Sequence, residues 1–235
     1  MVLPIGDDNR DRRTFPIVNY LLIALNIYVF IHFQHWGLND GWTYAYATVP
    51  KEILTGHDIV THPHGLRVTP IPVYLTLFTS MFMHGGIAHI AGNMLFLWIF
   101  GDNVEDAMGH IGYLFFYLFC GMLAGLSHVA VTFFLGQNLL IPSLGASGAI
   151  SAVLAAYLRL FPGKKVYLWV FLFIIPVPAF IVLGLWFVFQ LIDGYGMLGG
   201  HVDNVAYGAH IGGFIFGLLL TGIFASRDRP RGRRR

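Results

Sequence analysis

Residues 107–158, AMGHIGYLFFYLFCGMLAGLSHVAVTFFLGQNLLIPSLGASGAISAVLAAYL, contain no Asp, Glu, Lys or Arg. A helix needs about 20 mostly apolar residues to cross the hydrocarbon core of a bilayer, so this stretch holds one full span and the start of another. Where the second run begins, Leu144-Gly145-Ala146-Ser147-Gly148-Ala149 sets a hydroxyl among small residues. A polar side chain at the edge of hydrocarbon must find a partner or a use. The candidate partner of Ser147 is His210, in Gly208-Ala209-His210-Ile211-Gly212-Gly213 at the mouth of the last apolar run.

The rest of the composition agrees with a chain built for lipid. It has 235 residues, 56% hydrophobic and 11% charged, with a mean hydropathy of +0.67, far from the roughly 25% charged of soluble domains. The expectation is an all-α, multi-pass integral membrane protein. One cysteine, Cys120, excludes an intrachain disulfide, and its apolar surroundings suit a small buried hydrophobe. Basic residues gather at the two ends, at Arg10, Arg12 and Arg13 and again over 227–235. Directly after an apolar helix, such a tail reads as a topology and lipid-headgroup element rather than a nucleic-acid site. The first apolar run lacks a signal-peptide cleavage pattern and is expected to be a retained helix.

Reading at span length gives six helices, near residues 15–33, 87–104, 111–135, 146–161, 180–192 and 205–224. The fourth is short, as suits a helix starting below the surface inside a ring of others. Pro176 and Pro178 break the run before the fifth, so residues 166–175 are expected to be an interfacial or kinked lead-in. By the positive-inside rule, the N-terminal arginines, the Arg159, Lys164 and Lys165 group, and the C-terminal arginines all face the cytoplasm, as an even span count allows. The layout is then a short cytoplasmic tail (1–14), a membrane bundle (15–225) with a long outer loop (35–79), and a basic cytoplasmic tail (226–235). Loops near 136–143 and 193–204 are outside as well.

Depth now sorts the polar residues. His89 and Asn93 fall near the outer start of the second helix, Ser147 begins the fourth, and His210 lies a turn or two into the sixth. At roughly 1.5 Å per residue all four sit within about 5–10 Å of one another in depth. A serine needs a base to take its proton, and histidine suits that work. Ser147 as nucleophile and His210 as base make a dyad without a third carboxylate, because Asp102, Glu105 and Asp106 lie at the inner end and Asp193 and Asp203 in an outer loop. His89 and Asn93, four apart, project from one helix face. With the Ser147 backbone N–H at a helix N-terminus they offer three donors for an oxyanion, each often worth roughly 3–4 kcal/mol in such a site. Gly145 and Gly148 flank the serine, and Gly208, Gly212, Gly213 and Gly217 line the sixth helix. Small residues at four-residue spacing let membrane helices pack backbone to backbone, which brings the fourth and sixth together.

Three blocks carry a resemblance: His84-Gly85-Gly86-Ile87-Ala88-His89-Ile90-Ala91-Gly92-Asn93, then Gly145-Ala146-Ser147-Gly148, then Ala209-His210-Ile211-Gly212-Gly213. From about residue 76 to 217 the chain resembles the rhomboid intramembrane serine proteases. The resemblance implies a six-helix bundle with a water-accessible cavity open to the outside, the Ser147–His210 dyad, and an oxyanion hole from His89, Asn93 and the Ser147 backbone. It implies endopeptidase action on single-span membrane proteins, in or beside their transmembrane helices, with no metal and no cofactor. Glu105 matches a carboxylate with a structural hydrogen-bonding role, and His84 is expected to order the outer loop. The chain departs from the family pattern in two places. Ser151 stands where some members stack a tyrosine on the catalytic histidine, and the Trp-Arg pair that stiffens the outer loop of many members is missing.

Three other readings compete. His57, His62 and His64 cluster in the outer loop, but without Cys or a clear carboxylate set they read as accidental metal affinity. There is no His-Glu-x-x-His zinc-protease motif. A non-catalytic rhomboid-like protein that binds transmembrane helices typically lacks the serine or the histidine, both of which are here. A transporter would carry paired ionisable residues at midplane and internal repeats. With no evident targeting presequence, a prokaryotic plasma membrane is the expected location.

Overall fold

A computed structural model of the chain describes residues 2–60, 65–196 and 206–225. His62, His64, Asp203 and the basic 226–235 tail lie outside the described residues. Strand β1 (Val2–Asp7) leads to helix α1 (Ile17–His32). A winding segment follows, with α2 (Asp40–Tyr46), α3 (Pro50–Thr55) and the one-turn α4 (Thr76–Thr79). Then come α5 (Ile87–Met108), α6 (His110–Phe134) and α7 (Ser147–Leu160). Strands β2 (Lys165–Val170) and β3 (Phe173–Pro178) precede α8 (Ala179–Gly196) and α9 (Tyr207–Phe224).

Helix α7 is the axis of the bundle. Ala149, Ala152, Val153, Leu154, Ala155, Ala156 and Tyr157 have no solvent exposure, because α5, α6, α8 and α9 surround it. At 14 residues it is about 21 Å long, and its alanines and glycines let its neighbours come close. A Cβ on Gly213 of α9 would collide with the carbonyl oxygen of Gly148, and one on Gly217 would lie 2.6 Å from the Cα of Ala152. On the other side of α9, Gly212 faces Ser127 of α6, and Gly208 faces Val131 and His128. The expected backbone-to-backbone packing of the fourth and sixth apolar helices is present.

By length and composition α6 and α9 can each cross a membrane alone. The segment Val73–Phe82 and helix α5 form a pair bent by 80°, and α1, α7 and α8 are shorter apolar helices. The three acidic residues of α5 are all engaged. Glu105, fully buried, accepts hydrogen bonds from the backbone N–H of Val18 (3.0 Å) and Asn19 (2.7 Å), capping the first turn of α1, and pairs with His110 Nδ1. Asp106 accepts from the Thr14 N–H and hydroxyl, and Asp102 pairs with Arg12 at 2.5 Å. These contacts satisfy donors that a helix N-terminus would otherwise leave open in a dry environment.

The all-α expectation needs correction. Strands β1, β2 and β3 form an antiparallel sheet in that order, with Val2 opposite Val170 and Lys165 opposite Pro178. The expected lead-in of residues 166–175 is therefore a hairpin rather than a bent helix. Its β-branched and aromatic residues favour a pleated ladder, and Pro176 and Pro178 sit on the edge strand, where a missing N–H costs nothing. Helix α8 starts where the prolines end, as read from sequence, but runs on to Gly196, so Asp193 belongs to helix rather than loop. Likewise His210 is in the first turn of α9.

Strand β1 docks through Asp7, whose carboxylate accepts from the Tyr157 hydroxyl (2.5 Å) and the Asn103 amide (2.8 Å). Burial pushes this carboxyl up to about 6 from its ordinary 3.8; Asp102 and Asp8 reinforce the rise, and the Tyr157 hydrogen bond and Lys164 oppose it. A hydrogen bond from Arg10 holds Asp8 down at about 2, so Asp8 does not titrate in the same range. A raised folded-state value means that Asp7 favours docking below its ordinary value, and that this contribution is lost as pH rises through about 6. Hydrogen exchange of the β1 amides, corrected for intrinsic rate, should show protection falling by at most roughly 100-fold between pH 4 and 8, and Asp7→Asn should flatten that dependence.

Candidate active site

Ser147 opens α7, so its N–H and those of Gly148 and Ala149 have no intrahelical acceptor. The chain before it is fixed from the winding segment between α1 and α5. Thr48 and Ser143 exchange backbone hydrogen bonds (3.0 and 2.8 Å), Lys51 N–H reaches the Leu139 carbonyl (3.0 Å), and Gly145 N–H reaches the Ser80 carbonyl (2.9 Å). Gly145 has φ +128°, and a Cβ there would lie 2.9 Å from His89 Cε1 and Nε2 and 3.6 Å from Ser147 Oγ. The glycine thus turns the chain and makes room for the histidine ring beside the serine.

From α9, His210 places its Nε2 2.7 Å from Ser147 Oγ. Its other nitrogen, Nδ1, lies 2.6 Å from Oε1 of Gln190, a residue of α8. A carbonyl oxygen only accepts, so Nδ1 carries the proton and Nε2 presents a lone pair to the Ser147 hydroxyl. The rings of Trp186 and Tyr207 flank the imidazole, with centroids 6.2 and 6.3 Å away. Ser151 offers no ring, and its hydroxyl bonds back to the Ser147 carbonyl at 2.7 Å.

His89 and Asn93 rise from the first two turns of α5 into the same cavity, about 1060 Å³, which Ser147, His210, His84, His128, Thr43 and Tyr44 also line. His89 Nδ1 accepts from the Gly85 N–H at 3.3 Å, which puts the ring proton on Nε2 and makes that atom a donor. Asn93 is 9% exposed, and its side-chain Nδ2 has no partner among the described residues. The cavity therefore holds two side-chain donors and a helix N-terminus beside a serine hydroxyl already paired with a base. Such a set can accept a carbonyl, add to it, and stabilise the oxygen that gains charge.

The four residues singled out from sequence come together. Gly148 and Gly213 lie at the contact that joins their helices, while Glu105 sits at the opposite end as a cap for α1. His84 is fully buried, and its backbone N–H and carbonyl are both bound by the Gln34 side chain at 2.9 Å. Its ring meets His89 edge to face at 5.1 Å. Gln190, Trp186 and Tyr207 were not singled out. The available signal was a polar side chain, Gln190, within the otherwise apolar fifth run. Among the described residues no group of three or more His, Cys, Asp or Glu is placed to hold a metal ion, and His57 stands exposed.

Fold and site together define a helical membrane protein with a serine–histidine pair in a cavity at one end of its bundle. A family model described as Rhomboid domain matches residues 72–227, and the chain belongs to the rhomboid family. It is 29% identical over 202 residues to Rhomboid protein 1, mitochondrial, of Saccharomyces cerevisiae, covering 85% of this chain and 51% of that one. To Rhomboid protease GluP of Bacillus subtilis it is 30% identical over 198 residues, covering 84% and 35%. To RHOMBOID-like protein 12, mitochondrial, of Arabidopsis thaliana it is 34% identical over 151 residues, covering 59% and 43%. The chain spans about half the length of these relatives or less.

Gly145→Ala should crowd His89 and disturb the turn before Ser147. The rate at which a fluorophosphonate labels Ser147, normalised to folded protein, is expected to fall by up to roughly 100-fold, because small misplacements of reacting groups cost that much.

Proposed function

We propose that the chain is an intramembrane serine endopeptidase that hydrolyses peptide bonds in or near the transmembrane helices of single-span membrane proteins. The observation that carries this reading is the 2.7 Å approach of Ser147 Oγ to His210 Nε2. In the proposed sequence Ser147 Oγ adds to the scissile carbonyl carbon as His210 Nε2 takes its proton. Asn93 Nδ2, His89 Nε2–H and the Ser147 N–H receive the oxyanion. His210 then hands the proton to the departing amine as the C–N bond breaks, leaving an acyl ester on Ser147. A water from the cavity, deprotonated by His210, attacks that ester and restores the serine.

The six apolar helices α1, α5, α6, α7, α8 and α9 are read as six spans forming a bundle over residues 15–225, with residues 1–14 and 226–235 on the cytoplasmic side and the cavity on the outer side. The basic residues near α1 and in the loop after α7 support that orientation. No cofactor enters the scheme. Relatives named as mitochondrial weigh against a prokaryotic plasma membrane, and GluP of Bacillus subtilis weighs for it. A helix-binding protein without catalysis is the second reading; the intact hydroxyl–imidazole pair and the Asn93 Nδ2, without a partner among the described residues, favour the enzyme.

The test is cleavage of single-span proteins reconstituted with the purified chain in liposomes. The parent should release two fragments, Ser147→Ala none, and Asn93→Ala should lower kcat by about 10²- to 10³-fold, as expected for one lost oxyanion donor. Equal cleavage by parent and Ser147→Ala would overturn the mechanism.

A further inference from the structure

We propose that Gln190 is the positioning residue of this site: its side-chain carbonyl holds His210 in the tautomer that leaves Nε2 free to take the Ser147 proton. The inference rests on the Ser147–His210 reading and adds a third participant from a helix that carries neither member of the pair.

The geometry is specific. Gln190 Oε1 lies 2.6 Å from His210 Nδ1, and Ser147 Oγ lies 2.7 Å from Nε2, so the imidazole is bound at both nitrogens. A neutral imidazole has one donor and one acceptor, and the bond made at one nitrogen decides what the other can do. Free histidine prefers its proton on Nε2, which would turn a donor toward Ser147 and leave the hydroxyl without a base. An acceptor fixed at Nδ1 reverses that preference. Trp186 and Tyr207 constrain the plane of the ring, a restraint that does not distinguish the tautomers.

The choice of an amide also follows from the surroundings. A carboxylate at Nδ1 would stabilise the imidazolium more, but it would bring a charge into a helix whose neighbouring side chains are Phe187, Val188, Phe189, Leu191 and Ile192, and a charge in such a setting carries a large desolvation cost. The amide supplies the same acceptor without the charge. Gln190 is not among the residues lining the cavity. Its loss should therefore affect the chemical step and leave ligand binding alone, a split that distinguishes positioning from substrate contact.

The experiment follows inactivation of the purified full chain by a fluorophosphonate, in which Ser147 Oγ bonds to phosphorus, the P–F bond breaks, fluoride leaves and the serine proton passes to His210 Nε2. Gln190→Leu should lower the maximal inactivation rate by roughly 10- to 100-fold, as losses of a residue that orients a histidine do, with the half-saturating probe concentration within about twofold of the parent. Gln190→Glu, which keeps an acceptor oxygen, should recover most of that rate. In ¹⁵N-histidine spectra the signal missing from His210→Ala should report a protonated Nδ1 in the parent and a protonated Nε2 in Gln190→Leu, at unchanged thermal unfolding midpoint. A parental inactivation rate in Gln190→Leu, a rate loss with the tautomer unchanged, or no recovery in Gln190→Glu overturns the proposal while leaving the dyad standing. A folded parent that takes up no probe overturns the dyad and the proposal with it.

Discussion

The approach of α7 to α9 is the constraint on which the site depends. Gly148 and Ala152 on one helix meet Gly213 and Gly217 on the other with no room for a side chain between the backbones. That contact fixes the distance between the helix starts, where Ser147 and His210 lie. Two hydrophobic helices in lipid gain little from mutual burial, since lipid tails are as apolar as their side chains. Close packing of small residues supplies the contact instead, and with α5 and α6 on the remaining faces α7 has no freedom to rotate. The helix contact thus brings the hydroxyl to the imidazole, and Gln190 of α8 binds the far side of the ring.

The two ends of the bundle handle polarity in opposite ways. At the end where α5 finishes, its carboxylates are consumed by the N-terminal segment: Glu105 by the start of α1, Asp106 by Thr14, Asp102 by Arg12. At the end where α5, α7 and α9 begin, donors are left unspent. Asn93 keeps an amide without a partner among the described residues, and the first turn of α7 keeps its N–H groups. Unsatisfied donors in a bilayer are costly, and their retention beside Ser147 is what the proposed oxyanion site requires.

Much of this was legible in the sequence because membrane helices are local objects. Their existence follows from the length of apolar runs, and the starts of α5, α8 and α9 fall within two residues of where those runs begin. The Ser147, His210, His89 and Asn93 quartet was legible because polar residues at matched depth are conspicuous against hydrocarbon. The sheet was not, because β1 pairs residues 2–7 with 166–170, and a run apolar on both sides shows no alternation to separate strand from buried helix. The role of Gln190 was hidden for a related reason. Twenty residues separate it from His210, and only tertiary packing turns it toward Nδ1. Position 151 shows a further limit. A missing tyrosine suggested a histidine without a ring beside it, and Trp186 and Tyr207 supply rings from elsewhere.

The most direct measurement is peptide mapping by mass spectrometry of the purified protein after exposure to a fluorophosphonate, beside His210→Ala. The account predicts one adduct, on Ser147, and its loss in His210→Ala. An adduct on another serine, or an equally modified Ser147 without the histidine, would contradict it.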